Sequence, residues 1–250
     1  MPTTRGHSSR RRDHDGASPL RTAHAAVRST KDRQVTHVRT RIKICGLTRE
    51  QDIDAAVAAG ADAIGFVLYE RSPRHVSVAR LAELARCLPP FVTPVCLFVN
   101  ASPDLIDEAV AAVPTALLQF HGDEGREQCE QPGRPYLRAV RMAPGVDLLD
   151  CASGFASAAG LLLDAFVEGY GGGGKAFDWS QIPSGVPLPV VLSGGLSPAN
   201  VIDGVMRVRP WAVDVSSGVE QAKGIKDAAL IRRFCEAVRE ADARIANAMT

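Results

Sequence analysis

Arg41-Ile42-Lys43-Ile44-Cys45-Gly46-Leu47-Thr48 reads as a β-strand, a turn and the opening of a helix. Apolar residues alternate up to a cysteine and a glycine turns the chain. Thr48 and Gln51 then have the spacing of a capping box. A thiol at the carboxyl end of a strand, beside a helix N-terminus, is in a setting that lowers its pKa. Most strand-end cysteines are nevertheless packed and inert, so this stretch alone leaves Cys45 open between core and base. The fold is decided because the same strand–turn–helix unit keeps returning downstream.

Short apolar runs at 41–45, 62–67, 93–99, 116–120, 136–140, 160–164, 189–193 and 212–215 alternate with amphipathic, Ala-rich stretches at 49–59, 77–87, 103–112, 123–130, 198–207 and 226–246. Ser102-Pro103 and Ser197-Pro198 put an N-cap before a proline of the first helical turn. The connections 141–159 and 165–188 are Gly-rich, with weak helix signals. Eight strands, each followed by a crossover, fit right-handed βαβ units. Eight such units in about 210 residues predict a single-domain (β/α)8 TIM barrel near its lower size limit. A doubly wound open sheet is the alternative, but it calls for a glycine fingerprint after the first strand, and Cys45-Gly46-Leu47-Thr48 is not one.

The chain of 250 residues is 46% hydrophobic and 23% charged, enough apolar content for a full core. No run of apolar residues reaches the length of a membrane span. Its net charge of +1 is uneven: residues 1–37 hold eight Lys/Arg and three Asp/Glu, and residues 38–250 hold 21 and 25. The first segment is Arg- and Ser-rich without periodicity and is expected to be a disordered basic tail, with residues 38–250 as the barrel domain. A transit peptide and a nucleic-acid-binding arm compete with a tail of no role, translated from upstream of a start near Val35 or Val38; the last is favoured. Six scattered cysteines without a C-x-x-C pair argue against zinc and disulfides and for a reducing cytoplasm.

In a barrel of this kind the residues at strand C-termini face one mouth. Taken in order they are Lys43 and Cys45, Arg74, Asn100, His121, Arg141, Asp164, Ser193-Gly194-Gly195, and Asp214-Val215-Ser216-Ser217-Gly218. The last two groups follow strands seven and eight, where these barrels commonly bind phosphate, and glycine lets backbone N–H groups approach an anion closely. Gly194, Gly195, Ser216, Ser217 and Gly218 are therefore expected to hold a phosphate. Gly171-Gly172-Gly173-Gly174 reads as a loop over the substrate, with Lys175 open between phosphate contact and solvated lysine.

Lys43-Ile44-Cys45-Gly46-Leu47-Thr48, Gly60-Ala61-Asp62-Ala63-Ile64-Gly65-Phe66, Ser72-Pro73-Arg74, Gln119-Phe120-His121-Gly122, Leu163-Asp164, Gly174-Lys175-Ala176-Phe177-Asp178-Trp179, Ser193-Gly194-Gly195-Leu196 and Asp214-Val215-Ser216-Ser217-Gly218-Val219-Glu220 occur in order from about Arg39 to the C-terminus. Together they resemble the phosphoribosylanthranilate isomerase family of tryptophan biosynthesis. Gly173, Ala176 and Phe120 depart from its usual Ser or Thr, Thr and Leu.

The resemblance implies an Amadori rearrangement of N-(5-phosphoribosyl)anthranilate without cofactor or metal, the substrate nitrogen delocalising the charge. It implies Cys45 as general base and Asp164 as general acid, with Arg74 on the anthranilate carboxylate or ring. Asp214 stands open between hydrogen-bonding the substrate's hydroxyls or amine and ordering its own loop, His121 between an orienter and a packed histidine, and Lys43 between an electrostatic partner and a structural lysine inside the barrel mouth. Asp164 then has to be raised in pKa and Cys45 lowered by Lys43 or its helix. The expected partner is a small phosphosugar, with no nucleic acid or membrane, and the chain as a monomer or homodimer.

Three other readings compete. A related histidine-pathway isomerase would place an aspartate where Cys45 stands. A non-catalytic phosphosugar binder would not need the Cys45/Asp164 pair. A nucleic-acid binder would show a basic stripe that the acidic barrel body lacks.

Overall fold

The computed structural model describes residues 39–165 and 177–248; the expectations for the tail 1–37 and for Gly171 to Lys175 fall outside them. β1 (Arg41–Cys45), β2 (Ala63–Val67), β3 (Thr93–Phe98), β4 (Leu117–Phe120), β5 (Tyr136–Met142), β6 (Gly160–Ala165), β7 (Val190–Leu192) and β8 (Ala212–Val215) close into one barrel in chain order. Every neighbouring pair is parallel, β8 against β1 included. The eight strands lie within two residues of the boundaries expected from apolar runs.

The near-continuous hydrophobicity of the strands reflects burial on both faces. Ile42, Ile44, Ile64, Phe66, Cys96, Phe98, Leu118 and Phe120 pack outward beneath the helices in the main core. Their alternate neighbours fill the barrel: Leu137, Ala139, Leu162, Val191 and Ala212 lower down, and Cys45, Val67, Leu97 and Val99 under the C-terminal mouth. Period-two alternation thus carries Lys43 and Cys45 inward together.

The helices are α1 (Glu50–Ala58), α2 (Val78–Ala85), α3 (Pro103–Ala112), α4 (Arg126–Glu130), α5 (Leu148–Gly154), α6 (Val201–Val208) and α7 (Ala228–Asn247). α5 lies in one of the two connections with weak helix signals, opened by Asp147, whose carboxylate accepts from the N–H groups of Leu149 and Asp150. In the other, the described part holds only a single 3-10 turn, Trp179–Gln181. Among the described residues no helix is long and apolar enough to cross a membrane.

Ser102 caps α3 as expected, its hydroxyl accepting from Leu105 N–H. Two other caps differ. The Thr48–Gln51 box is not formed: α1 begins after Arg49, with no side-chain cap, and the Thr48 hydroxyl donates to Gly224 O at 3.0 Å. Ser197 does not open α6 either; the helix begins at Val201, and Asn200 folds back so that its Oδ1 accepts from Ser197 N–H at 2.8 Å. In both places a tertiary or loop acceptor outcompetes the local pattern.

A short antiparallel hairpin, β9 (Glu220–Ala222) and β10 (Ile225–Lys226), follows β8 and was not foreshadowed by the apolar runs. It lies against the loops after β1 and β2. Besides the Thr48 bond, Lys226 N–H donates to Asp52 at 3.3 Å, and a Cβ on Gly224 would stand 2.8 Å from Pro73 O.

Candidate active site

The C-terminal ends of the strands surround a cavity of about 730 Å³, its open mouth included. Cys45, Arg74, His121, Asp164, Gly194, Gly195, Asp214, Ser216 and Ser217 all line it, so most residues expected at the site converge. Two do not line it. Lys43 lies below, its ammonium bound to Asp214, and Gly218 packs behind the wall against Leu196.

The floor is built by barrel closure. Lys43 of β1 is in register with Asp214 of β8, and Nζ donates to Oδ1 at 2.8 Å with both side chains almost wholly buried. Ser193 Oγ donates to the other oxygen of Asp214 at 3.3 Å. Asp214 therefore serves the framework first, rather than standing ready only for substrate. Gly65, in register with Cys45, makes room for this arrangement: a Cβ there would lie 2.7 Å from Cys45 Sγ and 3.1 Å from Lys43 Nζ.

The expectation of a depressed thiol pKa is overturned. Burial pushes the Cys45 thiol up, and Asp214 adds to this, while Lys43 and Lys226 oppose it without prevailing. The sequence shows Cys45 near a helix start. It does not show that the residue is only 4% exposed, where losing water costs the thiolate more than nearby cations return. For Lys43, burial pulls downward, but Asp214 and Cys45 outweigh it and the ammonium is held charged.

Asp164 ends β6 on the opposite wall. Its Oδ1 accepts from Ala165 N–H at 2.9 Å, and its Oδ2 lies 3.0 Å from His121 Nε2. The other ring nitrogen, Nδ1, is 3.1 Å from Gln119 Nε2. The ring is thus held between the Gln119 amide and the Asp164 carboxyl group.

Arg74 is committed to a partner that sequence reasoning did not assign. Its Nε and Nη2 donate to the two oxygens of Glu220 at 2.7 and 2.8 Å, a fork-to-fork pair in which Nη1 takes no part. That bond raises the guanidinium pKa. Burial pushes Glu220 up, but Arg74 and Lys226 outweigh it and the carboxylate is held down. Lys226 was missed altogether; its signal was slight, a lysine two residues after a turn glycine.

Gly194 and Gly195 have φ of 76° and 67°, two successive left-handed residues that turn the loop after β7 toward the cavity. The Ser216 hydroxyl donates to Cys45 O at 3.0 Å, so its proton is spent within the protein. Arg141 pairs with Asp123 at 2.5 Å on a partly exposed rim.

A family model described as N-(5'phosphoribosyl)anthranilate (PRA) isomerase matches residues 42–237. The chain is 73% identical over 209 residues to an N-(5'-phosphoribosyl)anthranilate isomerase of Methylibium petroleiphilum, covering 84% of this chain and 98% of that relative. Among solved structures, phosphoribosyl anthranilate isomerase from Thermotoga maritima matches with a TM-score of 0.74 at 39% identity, over 80% of this chain and 99% of that one. A phosphoribosyl anthranilate isomerase in complex with reduced 1-(o-carboxyphenylamino)-1-deoxyribulose 5-phosphate matches with a TM-score of 0.71 at 36% identity, over 80% and 99%.

Proposed function

Because the chain belongs to the N-(5'-phosphoribosyl)anthranilate isomerase family, we propose that Cys45 and Asp164 carry the proton transfers of the reaction it catalyses. That reaction is the isomerisation of N-(5'-phosphoribosyl)anthranilate to 1-(2-carboxyphenylamino)-1-deoxyribulose 5-phosphate in tryptophan biosynthesis. The observation that carries the assignment is that the thiol of Cys45 and the carboxyl group of Asp164 line one cavity together with the Arg74 guanidinium and the two glycine-containing loops.

Asp164 gives a proton to the ribose ring oxygen, and the C1–O bond breaks as the anthranilate nitrogen forms an iminium. Cys45 removes the proton on C2, which the iminium has acidified, leaving an enolamine. The enolamine gains a proton at C1 and loses one from its C2 hydroxyl, completing the ketone. His121 orients the Asp164 carboxyl from Nε2. A buried thiol of raised pKa is less often ionised and, when ionised, is a stronger base; Lys43 limits the first effect. Arg74 takes the anthranilate carboxylate, and the backbone of Gly194, Gly195, Ser216 and Ser217 takes the phosphate, with Gly218 seating that loop. Asp214 keeps Lys43 in place and faces the substrate hydroxyls from the cavity floor.

The test is the fluorescence decay of freshly made substrate with wild type, Cys45→Ser and Asp164→Asn. Loss of roughly 10²–10⁴-fold in kcat for each variant is expected of general acid–base groups. Activity surviving both changes would make these assignments wrong.

We also assign catalysis to residues 38–250 alone, since every residue named above falls within them. A chain beginning at Val38 should keep full kcat/KM; a drop would give residues 1–37 a role. The six free cysteines support a reducing cytoplasm, and recovery of the protein with secreted material would overturn that.

A further inference from the structure

Lys226, in the accessory hairpin, is not in the cavity wall, yet it touches Ser216, which is, and Glu220, which holds Arg74 of the wall. Its side chain is fully buried. The ammonium donates to Glu220 Oε1 at 2.8 Å, to Ser216 O at 3.0 Å and to Ser216 Oγ at 3.3 Å, which uses its three protons within the protein. Ser216 belongs to the loop after β8, and Glu220 grips Arg74 through two hydrogen bonds. A continuous chain of contacts therefore runs Ser216–Lys226–Glu220–Arg74, from the loop assigned to phosphate to the guanidinium assigned to carboxylate.

Burying an ammonium is costly, and an apolar side chain of similar length fills such a space at less expense in free energy. Burial pulls the Lys226 pKa down even against the carboxylate beside it. The hairpin that presents Lys226 is itself anchored. Thr48 holds Gly224 O, Lys226 N–H donates to Asp52, and Arg49 Nη2 donates to Lys226 O at 3.3 Å. The ammonium thus ties the Ser216 loop to the residue that grips Arg74.

We propose that Lys226 is a positioning residue that sets the spacing between Arg74 and the Ser216 loop, so that a substrate carrying a carboxylate at one end and a phosphate at the other is held at both ends at once. The inference rests on the assignment of Arg74 and the loops after β7 and β8 to those two ends. It concerns the simultaneous fit of both ends, and not the strength of either anchor alone. A rigid span matters because misplacing a reacting group by about 1 Å can cost on the order of 10²-fold in rate.

The experiment compares wild type with Lys226→Met in the full chain. It measures KM and kcat for phosphoribosylanthranilate, and the competitive inhibition constants of inorganic phosphate and of anthranilate separately. The two fragments are expected to bind within about threefold of wild type, while kcat/KM for the whole substrate falls by roughly 10-fold or more. Unchanged kcat/KM overturns the proposal, and so does a weakening of either fragment as large as that of the substrate, because Lys226 would then shape one anchor or the fold in general. If Lys226→Met does not fold, the same constants on Glu220→Gln, which breaks the next link, must show the same split or the proposal falls. If neither fragment competes in wild type, the assignment of the two ends fails and the inference with it. If both compete and only the split is missing, the inference alone fails.

Discussion

Replacing Gly218 by alanine adds one methyl group where the loops after β7 and β8 meet. A Cβ at that position would stand 1.9 Å from Leu196 O, 2.9 Å from Leu196 C and 3.1 Å from Ser197 Cα. All three are backbone atoms, so no side-chain rotation relieves the overlap. Cβ contacts below 3.0 Å are essentially never seen, which means the two loops must part by about 1 Å. Two costs follow from that displacement. Backbone shifts forced by overpacking cost about 1–3 kcal/mol, and the barrel should survive it, since net stabilities of about 5–15 kcal/mol are usual. The functional cost is larger in proportion, because the two loops are the halves of the proposed phosphate cradle, and a 1 Å error there is worth up to about 10²-fold in kcat/KM.

The expected result for Gly218→Ala is a folded enzyme with a raised KM, a weakened inhibition constant for inorganic phosphate, and a smaller change in kcat. Substrate fluorescence decay gives the first and last, and competition by phosphate gives the second. Gly154→Ala is the control: nothing lies within 4 Å of its Cβ position, at the end of α5 and away from the cavity. Phosphate inhibition and KM within twofold of wild type in Gly218→Ala would refute the reasoning, showing either that the loops yield freely or that phosphate binds elsewhere.

Lys43→Met leaves Asp214 buried without its ammonium and should cost about 3–5 kcal/mol in denaturant unfolding, whereas Lys43→Met with Asp214→Leu should recover much of it; equal losses in the single and double variants would contradict a coupled pair. Burial raises the thiols of Cys96, Cys129 and Cys235 from 9.0 to about 12, 11 and 11. A folded-state pKa above the unfolded one means that the folded chain holds the proton more tightly. Their contribution is therefore complete below pH 9.0 and is lost as pH rises from there through about 11 to 12. The melting temperature should fall over that alkaline range and fall less in a Cys96→Val, Cys129→Ala, Cys235→Ala variant; parallel profiles for the two proteins would remove the thiols as the cause.

Much of this architecture is local in origin, which is why it can be read from the chain. Apolar runs bounded by turns mark strands, Ser102-Pro103 marks a helix start, and the barrel rule sends the residues after each strand to one mouth. Cys45, Arg74, His121, Asp164 and Asp214 could be picked out because each stands at or just beyond a strand's end. The Thr48–Gln51 box failed by the same reasoning, since a local pattern cannot announce that Gly224, 176 residues away, will take the hydroxyl.

Periodicity and turn chemistry act over a few residues, so the pattern along the chain carries the eight strands, most of the helices between them, the glycine-rich turns and the set of polar residues at the mouth. Only the tertiary structure decided their partners and protonation. Closing β8 onto β1 pairs Lys43 with Asp214. The hairpin after β8 brings Glu220 to Arg74 and Lys226 to Ser216. Burial at the base of the cavity desolvates Cys45 and outweighs the downward pull of Lys43 and Lys226. These effects depend on distance and dielectric, which arise when remote segments exclude water together, and no spacing along the chain records them.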